Sequence, residues 1–281
     1  MSDCITLLDG IAFGEAPRWH NGRLYFSEMH RGLVLALNAD GTTEVICTVA
    51  NQPSGLGWDP AGNLMVVSMK DRRLLRQDTN GSLVELADLS ALASWHCNDM
   101  VVDRLGRAYV GNFGFDLDGG AEPCLTNLIM VDTDGSTTEV ANELGFPNGC
   151  VITPDGNTLI VGESWKGRLT AFDIAANGSL SNRRVWAKLD GAVPDGICLD
   201  AEGAIWSACP LSGRVLRVRE GGEVLQVVDT GRPAFACMLG GDQGTTLFVC
   251  TADSSHPDET VVALSAKIEA IEVTVPRDGL Q

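Results

Sequence analysis

One stretch of this sequence keeps returning. It is clearest as Phe146-Pro147-Asn148-Gly149-Cys150-Val151-Ile152-Thr153-Pro154-Asp155-Gly156. It recurs as Val193-Pro194-Asp195-Gly196-Ile197-Cys198-Leu199-Asp200-Ala201-Glu202-Gly203. Each copy reads as a turn, a short apolar strand, a second turn closed by glycine, and another strand. Gly22, Gly62, Gly106, Gly156, Gly203 and Gly244 align as the closing position of six copies. Eight residues before each, or seven in the first copy, stand Glu15, Ser54, Asn98, Asn148, Asp195 and Ala236, at intervals of 39, 44, 50, 47 and 41 residues.

Each interval holds four runs rich in Val, Ile, Leu and Thr, bounded by Gly, Asp, Asn and Pro. Four strands repeated at such spacing make a propeller blade. The sequence therefore predicts an all-β, six-bladed β-propeller with four antiparallel strands per blade, one domain over residues 1–281. The last unit is expected as Cys237–Leu239, Thr246–Thr251, Thr260–Leu264 and Ile268–Val275, and no capped run with a helical period stands out. Ile5–Leu8 has no partner in its own repeat and is expected to close the ring against the last blade. In a blade the first strand lines the central channel, so the six aligned positions converge at its mouth. Loops between second and third strands emerge on the same face. The longest, Phe113 to Thr126, is glycine-rich and is a candidate lid.

Composition narrows the partners. A formal charge of −17 argues against nucleic acid or an anionic membrane, both of which need a basic surface. Met1-Ser2-Asp3-Cys4 shows no basic region leading into a long apolar core, so no secretory signal is expected. Nine cysteines without a C-x-x-C pair, several inside apolar strand runs, fit buried reduced thiols in the cytoplasm better than a zinc ribbon or a disulfide framework. A monomer or small homo-oligomer acting on a small molecule is the expected form.

Glu15, Asn98, Asn148 and Asp195 supply two carboxylates and two amide carbonyls. Oxygen-only donors suit a hard divalent cation, calcium first, because it tolerates neutral carbonyls and water in its remaining positions. Zinc, manganese, magnesium or iron(II) remain compatible with two negative charges, although a set without His or Cys argues against a dedicated zinc site. The plain alternative is that Pro-Asn-Gly and Pro-Asp-Gly are turns and nothing more. Ser54 and Ala236 show that the same position tolerates residues unsuited to a metal. Glu15 is a poor turn residue, which favours the metal.

Taken together, Gly14-Glu15-Ala16-Pro17-Arg18-Trp19, Asn98-Asp99-Met100-Val101-Val102-Asp103, Pro147-Asn148-Gly149 and Pro194-Asp195-Gly196 resemble the senescence-marker-protein (regucalcin)/gluconolactonase/luciferin-regenerating-enzyme-like family of six-bladed propellers. The resemblance covers essentially the whole chain. It implies a divalent metal held by Glu15, Asn148 and Asp195, with Asn98 at or beside the metal and touching substrate. It also implies hydrolysis of lactones, often sugar lactones. In such a site Asp195 would be the catalytic residue, taking a proton from the attacking water, positioning it, or attacking directly. Members acting on sugar lactones commonly carry Arg two residues before the asparagine matching Asn98. Here His96 stands there, preceded by Trp95, as either a substrate contact or an exposed loop histidine. Trp165, Phe113 and Phe115 lie in loops after second strands and are expected to wall the pocket. An aromatic mouth without that Arg points to a less hydroxylated lactone or an ester.

Other catalytic patterns are missing from the sequence. It contains no G-x-S-x-G elbow, no H-E-x-x-H and no phosphate-binding G-x-x-x-x-G-K-[ST], and its four histidines are dispersed. Three readings follow: a metal-dependent lactonase, a phosphotriester or aryl-ester hydrolase on the same metal, and a calcium-binding propeller without turnover.

Overall fold

The computed structural model describes residues 4–38 and 40–279. Met1, Ser2 and Asp3, on which the reading of a leader rests, lie outside the described residues. Six four-stranded antiparallel sheets form a six-bladed β-propeller. The inner strands are Gly14–His20, Pro53–Trp58, Cys97–Val102, Pro147–Ile152, Ile197–Leu199 and Ala234–Gly240. Each packs on the next around the channel, and the last packs on the first. Strand composition follows position. Cys97–Val102 is buried along its whole length because blades press on both its faces. The outer strand Thr137–Leu144 mixes exposed and half-buried positions, as an edge facing water on one side does. Hairpin turns carry an aspartate that accepts backbone N–H groups further along. Asp103 Oδ1 takes Leu105 N at 2.8 Å and Arg107 N at 3.0 Å, and Asp200 Oδ1 takes Glu202 N and Ala204 N in the same way.

Ring closure departs from the expected strand list. Ile5–Ile11 pairs antiparallel with Ala266–Glu272, so the sixth blade takes three strands from the end of the chain and its outermost from the beginning. The pairing itself was expected, but the assignment of Thr260–Leu264 as a strand was not correct. Those residues overlap a short helix, α1 (Pro257–Ala263), with Pro257 at its start, Asp258 and Glu259 in its first turn and Leu264 at φ 46° just after it. The run expected as the fourth strand, Ile268–Val275, is the third strand of the blade, Ala266–Glu272. A repeat-by-repeat reading asks each unit for its own four strands. The ring takes its last one from the far end of the chain because the edge of the sixth sheet must be paired.

Beneath the channel mouth Arg18 joins three blades. Its side chain is almost fully buried and donates from Nε to Leu56 O at 3.1 Å and from Nη2 to Asp99 Oδ1 at 2.6 Å and Met100 O at 2.8 Å. Burial pushes the Asp99 carboxyl up, while Arg18 and the Met100 N–H pull it back. Removing one partner of such a pair strands the other charge, at a cost of about 3–5 kcal/mol.

Candidate metal centre and substrate cavity

Glu15, Asn98, Asn148 and Asp195 all line one cavity of about 540 Å³. They come from the first, third, fourth and fifth blades. The aligned position is not a turn in most copies. Glu15, Asn98 and Asn148 sit inside inner strands, and in each the pairing register slips just there: between Glu15 and Arg18, Cys97 and Met100, and Pro147 and Cys150. Such a bulge re-aims a side chain. Asp195 stands just before the short strand Ile197–Leu199. Ala16, directly after Glu15, adopts φ 45°, and its N–H donates to Glu15 Oε2 at 3.0 Å.

The glycines of Pro-Asn-Gly and Pro-Asp-Gly answer to the neighbouring blade and not to a turn. A Cβ on Gly149 would lie 2.5 Å from Ile197 N and 2.7 Å from Asp195 O. A Cβ on Gly196 would lie 2.6 Å from the Ala236 Cα. The gap is closed by hydrogen bonds, Gly149 N to Asp195 O at 3.2 Å and Gly196 N to Phe235 O at 2.8 Å. Only glycine lets inner strands approach this closely.

The polar atoms of the set are sorted by their partners. Asn98 Nδ2 donates to Pro147 O at 3.3 Å, and Asn148 Nδ2 donates to Ser164 Oγ at 3.3 Å. Ser164 passes its own proton to Pro194 O at 2.7 Å. The Asn98 amide nitrogen is thus spent on the next blade and that of Asn148 on Ser164 of its own blade, and among the described residues no hydrogen bond claims either Oδ1. The carboxylates open onto the cavity but are surrounded by protein at longer range. Desolvation is the largest cause that pushes Asp195 up to about 8; the Asn148 amide pulls it down and Asp99 adds to the rise. Glu15 is raised well above the usual range, first by burial and then by the charge of Asp195. Two carboxyl groups so placed do not both ionise at neutral pH without a cation. Among the described residues no three His, Cys, Asp or Glu side chains gather as a metal cluster. Here the donors are two carboxylates and two amide oxygens, which fits a hard dication.

Connections between second and third strands build the wall, as expected. Phe113 and Trp165 line the cavity, together with Leu117 and Asp118 of the long third-blade loop. Phe115, Trp95 and His96 do not line it. Phe115 is buried behind, edge-on to Phe146 and Trp165. His96 is half-buried between Trp95, with ring centres 5.0 Å apart, and the edge of Phe113, and its Nδ1 is buried without a partner. It is thus neither an exposed loop histidine nor part of the wall. The lining also holds residues that the sequence reading did not assign to the site, among them Phe13, His30, Gln52, Met69, Phe146 and Phe235. Among the described residues no Lys or Arg lines the cavity, whereas Asp118 and Asp253 join the two carboxylates.

Residues 13–253 match the model of the family described as SMP-30/Gluconolactonase/LRE-like region. The chain is 30% identical to regucalcin of Danio rerio over 177 residues, 61% of this chain and 59% of that protein, so this match spans under two thirds of its relative. It is 27% identical over 246 residues to a pentonolactonase of Haloferax volcanii, 85% of this chain and 81% of that one. A solved structure of a calcium-binding protein, regucalcin, from Agrobacterium tumefaciens has the same fold, with TM-score 0.82 at 22% identity over 99% of this chain and 96% of that one.

Proposed function

The chain belongs to the SMP-30/gluconolactonase/LRE-like family, and on that premise we propose that it hydrolyses a lactone with the help of a divalent metal, calcium first, held by Glu15, Asn98, Asn148 and Asp195. The observation that carries this reading is the pair of charge-coupled carboxyl groups beside two amide oxygens that no protein donor claims. A bound dication supplies electrophilic stabilisation of the negative charge that develops on the carbonyl oxygen. Asp195 takes the proton of the water that attacks the lactone carbonyl. As the ring C–O bond breaks, the same carboxyl returns a proton to the departing alkoxide, leaving a hydroxy acid. Asn98, which lines the same cavity, would offer its amide oxygen to the metal and its side chain to the substrate. Phe113, Phe146 and Trp165 cover the apolar edge of the substrate and keep bulk water out. The buried thiols of Cys97, Cys150, Cys198, Cys209, Cys237 and Cys250 support the reducing cytoplasm as the working compartment.

The test is ring opening, followed with a pH indicator on aldonolactones, aliphatic lactones and aromatic lactones. Chelator-stripped protein is assayed before and after calcium, manganese, zinc, magnesium or iron(II). Activity should return with a metal, and Asp195→Ala should lower kcat by roughly 10²–10⁴-fold in the reloaded protein. Near-normal turnover in that variant would remove Asp195 from the chemistry. Turnover of aryl esters or phosphotriesters in place of lactones would replace the substrate class. Tight metal binding without any turnover would leave a calcium-binding propeller.

A further inference from the structure

His30 occupies the same repeat position as Trp165. Each is the middle residue of a one-turn 3-10 helix between second and third strands, Met29–Arg31 in the first blade and Ser164–Lys166 in the fourth, and both line the cavity. The imidazole lies flat on Phe13, with ring centres 4.7 Å apart and planes 11° from parallel. Its Nδ1 is 2.6 Å from Thr260 Oγ1 on α1, a bond that crosses the seam between the first and sixth blades. The Thr260 hydroxyl also lies 3.1 Å from Pro257 O. Whichever of the two supplies the proton between Thr260 and Nδ1, that bond occupies Nδ1 and leaves Nε2 for a ligand. Among the described residues no hydrogen bond uses Nε2. Burial first, then Lys70 and His256, hold the ring down to about 4, so it is neutral at neutral pH.

We infer that His30 is a specificity-determining residue, its Nε2 sharing a hydrogen bond with a substrate hydroxyl. The inference rests on the lactone-hydrolase reading and deepens it: the substrate is a neutral lactone carrying a hydroxyl group away from the ring oxygen. Phe13, Met29, Met69 and Phe235 line the same cavity, beside Gln52, Ser254 and Ser255. A hydroxyl that enters it loses its bonds to water, and a ring nitrogen in a fixed place restores one. The Phe13 stack and the Thr260 bond give the ring that fixed place.

The experiment compares γ-butyrolactone and δ-valerolactone with their monohydroxylated analogues, using metal-loaded wild type and three variants. His30→Phe keeps the flat ring and removes both nitrogens. His30→Asn puts an amide near Nδ1 alone, and His30→Gln returns an amide oxygen near Nε2. The ratio of kcat/KM for the hydroxylated over the plain lactone should fall about tenfold in the Phe and Asn variants, more through KM than kcat, and recover in the Gln variant. An unchanged ratio in the Phe or Asn variant, beside an active wild type, overturns the inference and leaves the lactone-hydrolase reading standing. A wild type that opens no lactone with any metal overturns both.

Discussion

Burial raises the proton affinity of both Glu15 and Asp195, and the charge of Asp195 raises that of Glu15 further, which fixes how the metal-free protein responds to pH. Asp195 moves from 3.8 to about 8 on folding, so the folded state holds a proton that the unfolded chain gives up. Stability from this group is complete below the unfolded value and is lost as pH rises towards about 8. Glu15 acts in the same direction. Thermal unfolding of chelator-stripped protein should therefore show a melting temperature that falls by several degrees between about pH 4 and pH 8, and calcium should restore most of it at the alkaline end. A melting temperature flat with pH in the stripped protein would mean the two carboxyls are not coupled as described. These two residues, with Asn98 and Asn148, were legible in the sequence because a ring of repeats brings one register position of every repeat to the same mouth. His30 was not, although it obeys the same rule. Aligning the copies on their first strands found Glu15, whereas matching Glu28-Met29-His30-Arg31-Gly32 with Glu163-Ser164-Trp165-Lys166-Gly167 would have set His30 beside Trp165. Phe115 was expected in the wall and stands behind it, because the direction of a loop side chain depends on what packs beneath it, which no periodicity records.

At the scale of the element, the inner strands were legible as strands but not as bulged strands. Pro-Asn-Gly has turn composition, yet here it opens a strand, since tertiary packing decides what a short motif does. Proline fits because it stands at the strand's first position, and glycine fits because the next blade touches its Cα. Gly149→Ala would press a methyl group into the backbone at Ile197 and Asp195. It should cost about 1–3 kcal/mol in urea unfolding. Calcium affinity should weaken with it, because the displaced backbone carries Asp195. Full stability and affinity in this variant would show that the blades have room to part. The short helix α1 escaped the sequence reading because seven residues are too few to show a helical period. What forms it is a proline start, an acidic first turn and the Thr260 bond to His30.

At the scale of the molecule, charge selects among substrates. The chain carries −17, and the cavity wall adds Asp118 and Asp253 to the two carboxylates with no Lys or Arg among the described lining residues, although Arg232 pairs with Asp253 at 2.9 Å. A lactone bearing a sulfonate or phosphate should be turned over with kcat/KM roughly tenfold below that of its neutral parent at low ionic strength, with added salt narrowing the gap. Equal rates at low salt would mean that the bound metal cancels the field of the wall. Lactone opening creates an anion, so the same field helps to expel the product. The six-fold architecture was legible because its period is written into the glycines. The origin of the last strand was only half legible, because the partner of Ile5–Ile11 lies at the other end of the chain. That pairing sets a timetable for biosynthesis. On the ribosome Ile5–Ile11 emerges long before Ala266–Glu272 and must wait without that neighbour, so the ring of blades cannot lock until the later strand has emerged. During that wait Ile5–Ile11 offers an open edge to any other nascent chain.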